Sequence, residues 1–433
     1  MRTVAEHFER TLGADAVRTD GAVWRFACAG VVPSCVVQPR SVDEVSAAVR
    51  VARDGGYALV PSGNGTDLHI GLPPRRYDAA VSTRALNHVL AHEAGDMTVT
   101  VEAGVTVPAL NEVLGSAGQW LPVDPPRAEQ LTVGGLIAAD RNGPYRFAYG
   151  KVRDYLIGLK VVTADGEVVR GGGRVVKNVA GYDLPKLFVG SFGTLGAIVE
   201  ATFKVRPRPE QERVWVWRAA SIDAAIGRAL EVMDSSTTPV LLEAINGAAA
   251  EAIGVGSESA LIVGCAGNGS EVEAATARLR DMARDGLVVC DTARAGALLK
   301  AVRDFPQAAT EDALVARVSV LPAALPALLG RFEAEAAARG LQLELAAHAG
   351  NGVAWCQMTG AVDATAVELF AEWMRVFTRQ SGGWAIFEYL PPFLRGRIDP
   401  WGFNERAVSL MARIKQALDP GGVFSPGRFV EGI

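Results

Sequence analysis

The sequence predicts an α+β protein with at least two domains, and three observations support this fold class. The chain has 433 residues, which is more than one hydrophobic core usually holds. Short apolar strands alternate with helices and glycine-rich turns in the first half, whereas strands such as RVWVWRA, VLLEAI and ALIVGCAG alternate with Ala- and Arg-rich helices in the second. The composition changes at Arg206-Pro207-Arg208-Pro209, which we interpret as a linker.

These features divide the chain into four segments. Residues 1–25 are predicted to form an N-terminal helical segment, and residues 26–208 a first domain. Residues 209–395 are predicted to form an α+β domain with an antiparallel sheet and helices on one side of it. Residues 396–433 are predicted to form a separate C-terminal segment.

Several local patterns in the first domain predict single elements. The stretch SVDEVSAAVRVARDGG begins with Ser41, a candidate helix N-cap, and ends with glycines. YALVPSG is predicted to be a short strand that runs into a turn, and MTVTVEAGVTV alternates like a strand. In LIGLKVVTADGEVVR, the Asp165-Gly166 pair predicts a hairpin between two strands.

Charge, cysteines and hydropathy exclude several classes of protein. The formal net charge of −5 argues against a basic nucleic-acid-binding face. Five scattered cysteines without a CxxC pair favour buried, reduced thiols over disulfides, a zinc site or an iron–sulfur cluster. No stretch approaches the ~20 apolar residues of a membrane span, and the N-terminus lacks a signal-peptide core. We therefore expect a cytoplasmic protein without a metal.

The first candidate site is the turn Pro61-Ser62-Gly63-Asn64-Gly65-Thr66, which follows a predicted strand. Glycine permits a positive φ and lets the backbone approach a ligand closely. Successive backbone N–H groups in such a turn form a concave site that suits a pyrophosphate. An ordinary loop is an equally good interpretation of this turn alone, and it does not match the GxGxxG fingerprint that opens a Rossmann helix.

Three further segments carry similar chemistry. Adjacent glycines precede a small apolar helix, a Tyr-Gly pair precedes a strand, and a last segment has glycines at every third position with a hydroxyl residue between them. Four such segments between residues 61 and 198 favour a long cofactor that lies against the backbone. Besides the first turn, the candidate residues are Thr132, Gly134, Gly135, Tyr149, Gly150, Asp154, Gly193, Thr194, Gly196 and Ile198.

Taken in order, PSGNGT, TVGGLIAA, YGKVRDYLIGLKVVTADGEVV and GYDLPKLFVGSFGTLGAIVEATFKV resemble the FAD-binding domain of the vanillyl-alcohol-oxidase (PCMH-type) family. The ending LDPGGVFSPGR is similar to the closing segment of that family, which returns to the flavin domain. The resemblance implies a PCMH-type FAD-binding domain of two α/β subdomains plus an α+β cap domain. It also implies that residues 61–66 contact the pyrophosphate and that Thr132, Gly134 and Gly135 line the same groove.

The same resemblance assigns the remaining candidates. Tyr149, Gly150 and Asp154 would lie near the flavin ring, and Gly193, Thr194, Gly196 and Ile198 would hold the ribose and adenine. Covalent attachment in this superfamily commonly uses a histidine in the first glycine loop or a cysteine further on. The loop here has no histidine, and His69 lies beyond Thr66, so we expect noncovalent FAD.

Two regions resemble the FAD-binding E-subunit family of glycolate oxidase more closely. They are the run Gly172–Asp183 (GGRVVKNVAGYD) and the tail from Gly382-Gly383 to the terminal SPGR. This resemblance implies a complex with a catalytic FAD subunit and an iron–sulfur subunit, held at the inner membrane face through its partners. The complex would oxidise glycolate or another short 2-hydroxy acid to the 2-oxo acid.

Related catalytic subunits carry a histidine-rich metal motif around a GDGN core, with a Glu-His pair downstream. Here the corresponding segment is His348-Ala349-Gly350-Asn351-Gly352-Val353-Ala354-Trp355, in which only the first histidine is kept. One imidazole does not build a divalent-metal site. His348 is a candidate lone base, with a packed structural histidine as the more common alternative, and Arg397 or Arg395 is a candidate clamp for a carboxylate.

Two alternatives stay open from the sequence. An autonomous FAD-dependent oxidoreductase could act on another small alcohol or hydroxy acid through His348 and an arginine. A non-catalytic assembly subunit could keep the fold without the flavin.

Overall fold

A computed structural model describes residues 3–173, 183–283, 286–306, 312–359, 363–402 and 405–433. Contacts divide the chain into two compact units. The first comprises Met1–Asn142, Lys151–Arg208 and Phe403–Ile433, and the second comprises Gly143–Gly150 and Pro209–Gly402. The division at Arg208 and Pro209 lies within the run interpreted as a linker. Residues 396–402, which the sequence analysis grouped with the C-terminal segment, belong to the second unit.

The helices of the described residues are, in chain order, α1 Val4–Leu12, α2 Val42–Gly55, α3 Val107–Gly115, α4 Val133–Ala139, α5 Arg146–Tyr149, α6 Val152–Tyr155, α7 Leu184–Phe188, α8 Ile222–Asp234, α9 Gly247–Ala252, α10 Gly269–Ala283, α11 Thr292–Arg303, α12 Leu325–Ala338, α13 Ala364–Gln380 and α14 Glu405–Leu418. None of them is long and apolar enough to cross a membrane.

The strands of the same residues are β1 Val17–Arg18, β2 Cys35–Val37, β3 Leu59–Ser62, β4 Ala79–Ser82, β5 Val89–Glu93, β6 Thr98–Glu102, β7 Gln119–Trp120, β8 Leu156–Val162, β9 Val168–Gly172, β10 Ala197–Lys204, β11 Arg206–Pro207, β12 Gln211–Arg218, β13 Leu241–Ile245, β14 Ala260–Gly267, β15 Leu287–Val289, β16 Leu314–Ser319, β17 Glu344–His348, β18 Val353–Met358 and β19 Trp384–Tyr389.

The first unit contains a four-stranded sheet in the order β1-β2-β4-β3, whose last three strands are parallel. The helix α2 connects β2 to β3, as the sequence predicts. Ser41 is its N-cap and accepts a hydrogen bond from Glu44 N, and Gly56 ends it in the left-handed region with φ of +68°. The apolar face of α2, which includes Val45 and Val49, is fully buried.

A second sheet of this unit has five antiparallel strands in the order β5-β6-β10-β8-β9. The predicted hairpin at Asp165-Gly166 joins β8 to β9, where Val162 lies opposite Val168. Period-two alternation gives the sheet one apolar face, with Val101 and Phe203 fully buried. The short helix α4 packs against β10 and so brings the end of this sheet close to the turn that follows β3.

The second unit is built on eight antiparallel strands in the order β15-β12-β14-β13-β17-β18-β16-β19. One face packs against α8, α10, α12 and α13. The opposite face also carries apolar side chains, and these pack against α9 and α11. Helices therefore cover both faces, and the prediction of helices on one side is wrong. The cause is that β12–β14 are apolar on both faces, and each face must be kept from water.

Most of the run that resembles the E-subunit family, residues 174–182, lies outside the described residues. The fold class agrees with the α+β prediction: a parallel and an antiparallel sheet in the first unit, and a large antiparallel sheet in the second.

Candidate functional site

A cavity of about 450 Å³ lies in the first unit, at the end of β3 and beside α4. It brings together three segments that are far apart in the sequence. The lining residues are Pro61, Ser62, Gly63, Asn64, Gly65, Thr66, Asp67, Leu68, Leu131, Thr132, Gly135, Ala138, Ala139, Phe192, Gly193 and Arg428.

The glycines of the turn after β3 are needed because its backbone passes so close to its neighbours. A Cβ added to Gly63 would lie 2.0 Å from Thr132 Oγ1, and one added to Gly65 would lie 2.8 Å from Arg25 O. Gly65 also has φ of +76°, which disfavours other residues. Thr132 is buried and caps α4, since its Oγ1 accepts a hydrogen bond from Gly135 N. The turn and the start of α4 are therefore packed as one wall.

Polar atoms of this wall divide into two groups. Asn64 Nδ2 and Thr66 Oγ1 both donate to Gln130 O, at 2.7 and 3.4 Å. These side chains therefore fix the turn to the loop that precedes α4. Ser62 Oγ is buried and has no hydrogen-bond partner among the described residues, and neither has Asp67 Oδ2. Buried polar atoms normally have partners, so an unpaired hydroxyl in a cavity wall indicates a polar ligand.

Asp67 also organises two arginines beside the cavity. Its Oδ1 accepts a hydrogen bond of 2.7 Å from Arg127 Nη2 and lies 3.8 Å from Arg141 Nε. Arg428 also lines the cavity. An arginine in the cavity wall suits an anionic ligand such as a diphosphate.

Not every predicted cofactor residue lines this cavity. Gly134 lies beneath it, where its N–H donates to Ala103 O at 2.8 Å. Thr194 is buried and its hydroxyl donates to Ser191 O, while a Cβ on Gly196 would lie 2.9 Å from Val162 O. Ile198 is buried in β10. These four residues are not among those that line the cavity.

The three residues predicted to lie near the flavin ring are not among those that line this cavity. Tyr149 and Gly150 belong to the second compact unit, whereas Asp154 belongs to the first. Asp154 is an exposed residue of the short helix α6. Its carboxylate accepts a hydrogen bond from N of Lys151, the residue just before the helix. Their assignment to the flavin ring stays a prediction.

Sequence reasoning did not identify Asp67 or Arg428 as site residues. Arg428 is 3% exposed, and its Nη2 donates to Leu68 O and Ile70 O at 2.9 and 2.7 Å. Arg428 belongs to the final SPGR of the closing segment. It lies 360 residues after Leu68 in the sequence, so the sequence did not indicate the contact between them.

The second unit carries a buried polar pair on its large sheet. Glu243 of β13 lies directly opposite His348 of β17, and Oε1 of the glutamate is 2.6 Å from Nδ1 of the imidazole. The two residues are 1% and 5% exposed. The ring of Trp355 stands edge-on at 4.6 Å, and His348 Nε2 has no hydrogen-bond partner within the described residues.

A second polar group lies two strands away on the same face. Arg317 Nε donates to Glu388 Oε1 at 2.7 Å, and Trp355 Nε1 donates to Glu388 Oε2 at 3.3 Å. Glu388 is buried, so its charge depends on the guanidinium for compensation. Trp355 thus links the two groups, since it contacts His348 with its ring and Glu388 with its indole N–H.

Burial controls the protonation of the first pair. It lowers the pKa of His348 well below its ordinary value, and the guanidinium groups of Arg146 and Arg317 add to this effect. Burial raises the pKa of Glu243 well above its ordinary value. His348 is therefore neutral near pH 7. Across the part of the chain that the structure describes, no group of three potential ligands could hold a metal ion.

The two candidate clamp arginines lie elsewhere in this unit. Arg397 is 61% exposed at its side chain and pairs with Glu368 of α13 at 2.6 Å. Arg395 donates from Nε to Leu390 O and lies over the ring of Tyr389. Each guanidinium thus has a partner within its own unit.

Two family models match this chain. The model described as FAD binding domain matches residues 33–172, and the model described as FAD linked oxidases, C-terminal domain, matches residues 208–388 and 394–429. The chain therefore belongs to the family of FAD-linked oxidases and is an FAD-dependent oxidoreductase.

Three relatives show how far the similarity extends. Glycolate oxidase subunit GlcD of Bacillus subtilis (strain 168) is 27% identical over 429 residues, which is 92% of this chain and 89% of that protein. Glycolate oxidase subunit GlcE of Escherichia coli (strain K12) is 38% identical over 152 residues, 35% of this chain and 43% of that protein. Probable D-lactate dehydrogenase, mitochondrial, of Danio rerio is 35% identical over 214 residues, 49% of this chain and 43% of that protein.

Solved structures confirm the PCMH-type fold. p-Cresol methylhydroxylase with substrate bound has a TM-score of 0.78 at 15% identity, covering 99% of this chain and 96% of that one. The 4-ethylphenol oxidase from Gulosibacter chungangensis has a TM-score of 0.74 at 18% identity, covering 98% and 96%.

The first-unit cavity fits part of an FAD molecule. Gly63 and Gly65 allow a close approach of the backbone, and Ser62 has a hydroxyl without a hydrogen-bond partner among the described residues. Arg428 adds a guanidinium group to the lining. These are the features that a diphosphate requires.

Proposed function

We propose that this chain is the FAD-carrying subunit of a complex that oxidises a short 2-hydroxy acid, such as glycolate, to the 2-oxo acid. One observation carries the proposal. The residues of the second unit that could act on a hydroxy acid are bonded to each other: Glu243 to His348, and Arg317 and Trp355 to Glu388. A general base must reach the proton that it removes, and His348 Nε2 is buried.

The relatives support the same reaction class. Two of them are named as subunits of glycolate oxidase and one as a probable D-lactate dehydrogenase, and glycolate and D-lactate are both short 2-hydroxy acids. The E-subunit resemblance of the tail favours the E role over the D role. In that role, the chain works in the cytoplasm with a catalytic FAD subunit and an iron–sulfur subunit, at the inner membrane face through these partners.

Within this chain, the turn 61–66 with Thr132, Gly135 and Gly193 would hold the diphosphate of FAD. Bound flavin supplies a two-electron acceptor that can pass electrons on singly. We propose that FAD is held noncovalently, because the described residues that line the cavity include neither histidine nor cysteine.

The first experiment is an absorption spectrum of the purified chain before and after acid precipitation. Yellow colour in the supernatant is expected for noncovalent FAD. Glycolate and D-lactate are then added under anaerobic conditions, and the flavin is expected to stay oxidised. Co-expression with a D-type flavoprotein and an iron–sulfur protein of the same source should produce a co-purifying complex that reduces a dye with glycolate. A chain that neither joins nor activates such a complex would contradict the subunit role.

A second candidate function rests on the Glu243–His348 pair. When Nδ1–H donates to the Glu243 carboxylate, Nε2, which has no hydrogen-bond partner among the described residues, is the acceptor that could take a proton. In this alternative the chain is an autonomous FAD-dependent oxidoreductase, with His348 as its base and Arg397 as its carboxylate clamp. Rapid bleaching of the flavin by a hydroxy acid in the isolated chain, lost in His348→Gln, would establish it.

A further inference from the structure

The C-terminal segment of the chain runs beside β3, which is an edge strand of its sheet. Leu59 N donates to Val423 O, and Ser425 N donates to Leu59 O, both at 2.7 Å. Ser425 Oγ also donates to Gly193 O. The segment therefore holds both the strand that ends in the glycine turn and the loop on the other side of the cavity.

Arg428 is the last residue of this arrangement and lines the cavity itself. Its guanidinium holds the carbonyl oxygens of Leu68 and Ile70, directly after the glycine turn. Its own carbonyl accepts a hydrogen bond from Leu72 N. A guanidinium group is a permanent cation with five donors in a planar fork, so it can hold two carbonyls and still direct positive charge at a bound anion.

The geometry points to Arg428 as a residue that binds the diphosphate of FAD. The positive charge of its guanidinium group contributes to cofactor affinity. Three facts on the first unit combine here: the residue lines the cavity, it is buried, and the turn it fixes carries the unpaired Ser62 hydroxyl on its cavity side. A buried cation interacts more strongly with a phosphate than an exposed one, because little water screens the pair. The inference concerns the cofactor only and does not depend on the proposed substrate or partners.

The test measures FAD affinity of the apoprotein by fluorescence quenching, without substrate. Arg428→Met is expected to weaken FAD binding about 50-fold, and Arg428→Lys about 5-fold because the charge is kept. The matched control is Arg75→Met: Arg75 is exposed and its side chain packs near Gly427, but it does not line the cavity. We expect the control to bind FAD like the wild type.

Salt dependence separates charge from a structural role. Screening by salt should weaken FAD binding to the wild type, to R428K and to R75M with the same slope, and R428M should show a smaller slope. Wild-type affinity in folded R428M would overturn the inference, as would equal losses in R428M and R428K with an unchanged slope. Circular dichroism and the melting temperature of each apoprotein establish folding. If R428M does not fold, R428K decides: a loss within about 10-fold supports the inference, and a complete loss overturns it.

Discussion

The cavity of the first unit and the polar face of the sheet in the second unit differ in how their polar groups are used. In the cavity wall, Ser62 Oγ is buried without a hydrogen-bond partner among the described residues, and an arginine lines the space. On the sheet, Glu243, Arg317 and Glu388 are bonded to neighbouring side chains. The first arrangement is prepared for a ligand, whereas the second is largely satisfied within the protein.

This difference indicates which of the two units is suited to cofactor binding and whether the other is suited to action on a substrate. Binding a large anionic cofactor requires close backbone approach and unpaired donors, and both are present in the first unit. Acting on a hydroxy acid requires a reachable base, and the histidine of the second unit is buried beside Trp355. The contrast therefore favours a chain that carries FAD and leaves substrate oxidation to a partner. Four substitutions test it, from the largest expected effect to the smallest.

Gly63→Val should remove FAD binding. The added side chain would overlap Thr132, which is buried and caps α4, so the turn and the helix could not keep their contact. We expect affinity to fall more than about 100-fold, measured as the ratio of flavin to protein absorbance and by titration. Gly95→Ala is the control, since nothing lies within 4 Å of its added Cβ. Full flavin content in G63V would contradict the proposed position of the cofactor.

Arg317→Met should destabilise the second unit. The substitution removes the guanidinium that pairs with the buried Glu388 carboxylate, and such losses cost about 3 kcal/mol. Thermal unfolding followed by tryptophan fluorescence measures the effect. The control Arg331→Met breaks a more exposed pair with Glu335 and should cost much less. The double variant R317M/E388Q should recover part of the loss, because the buried carboxylate is then replaced by a neutral amide. A mild effect of R317M would show that the polar face is less satisfied than the contacts indicate.

His348→Gln should change how stability depends on pH. Burial lowers the pKa of His348 in the folded chain, so the unfolded chain takes up the proton more readily. The wild type therefore loses stability as the pH falls below about 6.5, by up to about 1.4 kcal/mol per pH unit from this group. Burial raises the pKa of Glu243 in the folded chain, so the unfolded chain releases this proton more readily. The contribution of Glu243 to stability therefore falls as the pH rises, opposite to that of His348.

Melting temperatures between pH 7.5 and 5.5 measure this prediction. The change in melting temperature from pH 5.5 to pH 7.5 should be more positive in the wild type than in H348Q, because H348Q lacks the contribution of the imidazole. The control is Gly95→Ala, which changes no titratable group and meets no atom within 4 Å, so its pH dependence should be that of the wild type. Identical pH dependence in H348Q and the wild type would be inconsistent with a neutral, buried His348.

Arg397→Gln should have the smallest effect. The arginine is mostly exposed, and its pair with Glu368 should contribute less than about 1 kcal/mol. Flavin content and dye reduction by the complex should stay at wild-type levels. A large loss of turnover with unchanged stability would instead favour the autonomous function, with Arg397 as the clamp for the substrate carboxylate.

Most elements of the fold could be predicted because their signals are local. Ser41 and the glycines that end α2 mark one helix, and Asp165-Gly166 marks the hairpin between β8 and β9. The two-sided helix cover of the large sheet could not be predicted, because the apolar runs of β12–β14 do not show which helix covers which face. The candidate site divides in the same way: the turn 61–66 has a local signature, and Arg428 has none.

The sequence by itself determined the class of protein and predicted the glycine segments proposed to bind the cofactor. Close backbone approach and hairpin turns depend on a few adjacent residues, so their identity is written locally. Only the tertiary structure decided which residues of those segments meet in one cavity, since Gly63, Thr132 and Gly193 line it and Gly134, Gly196 and Ile198 do not. It also decided the partners of Glu243 and Arg428, because strand order and chain return join residues more than a hundred positions apart, and no local pattern encodes that distance.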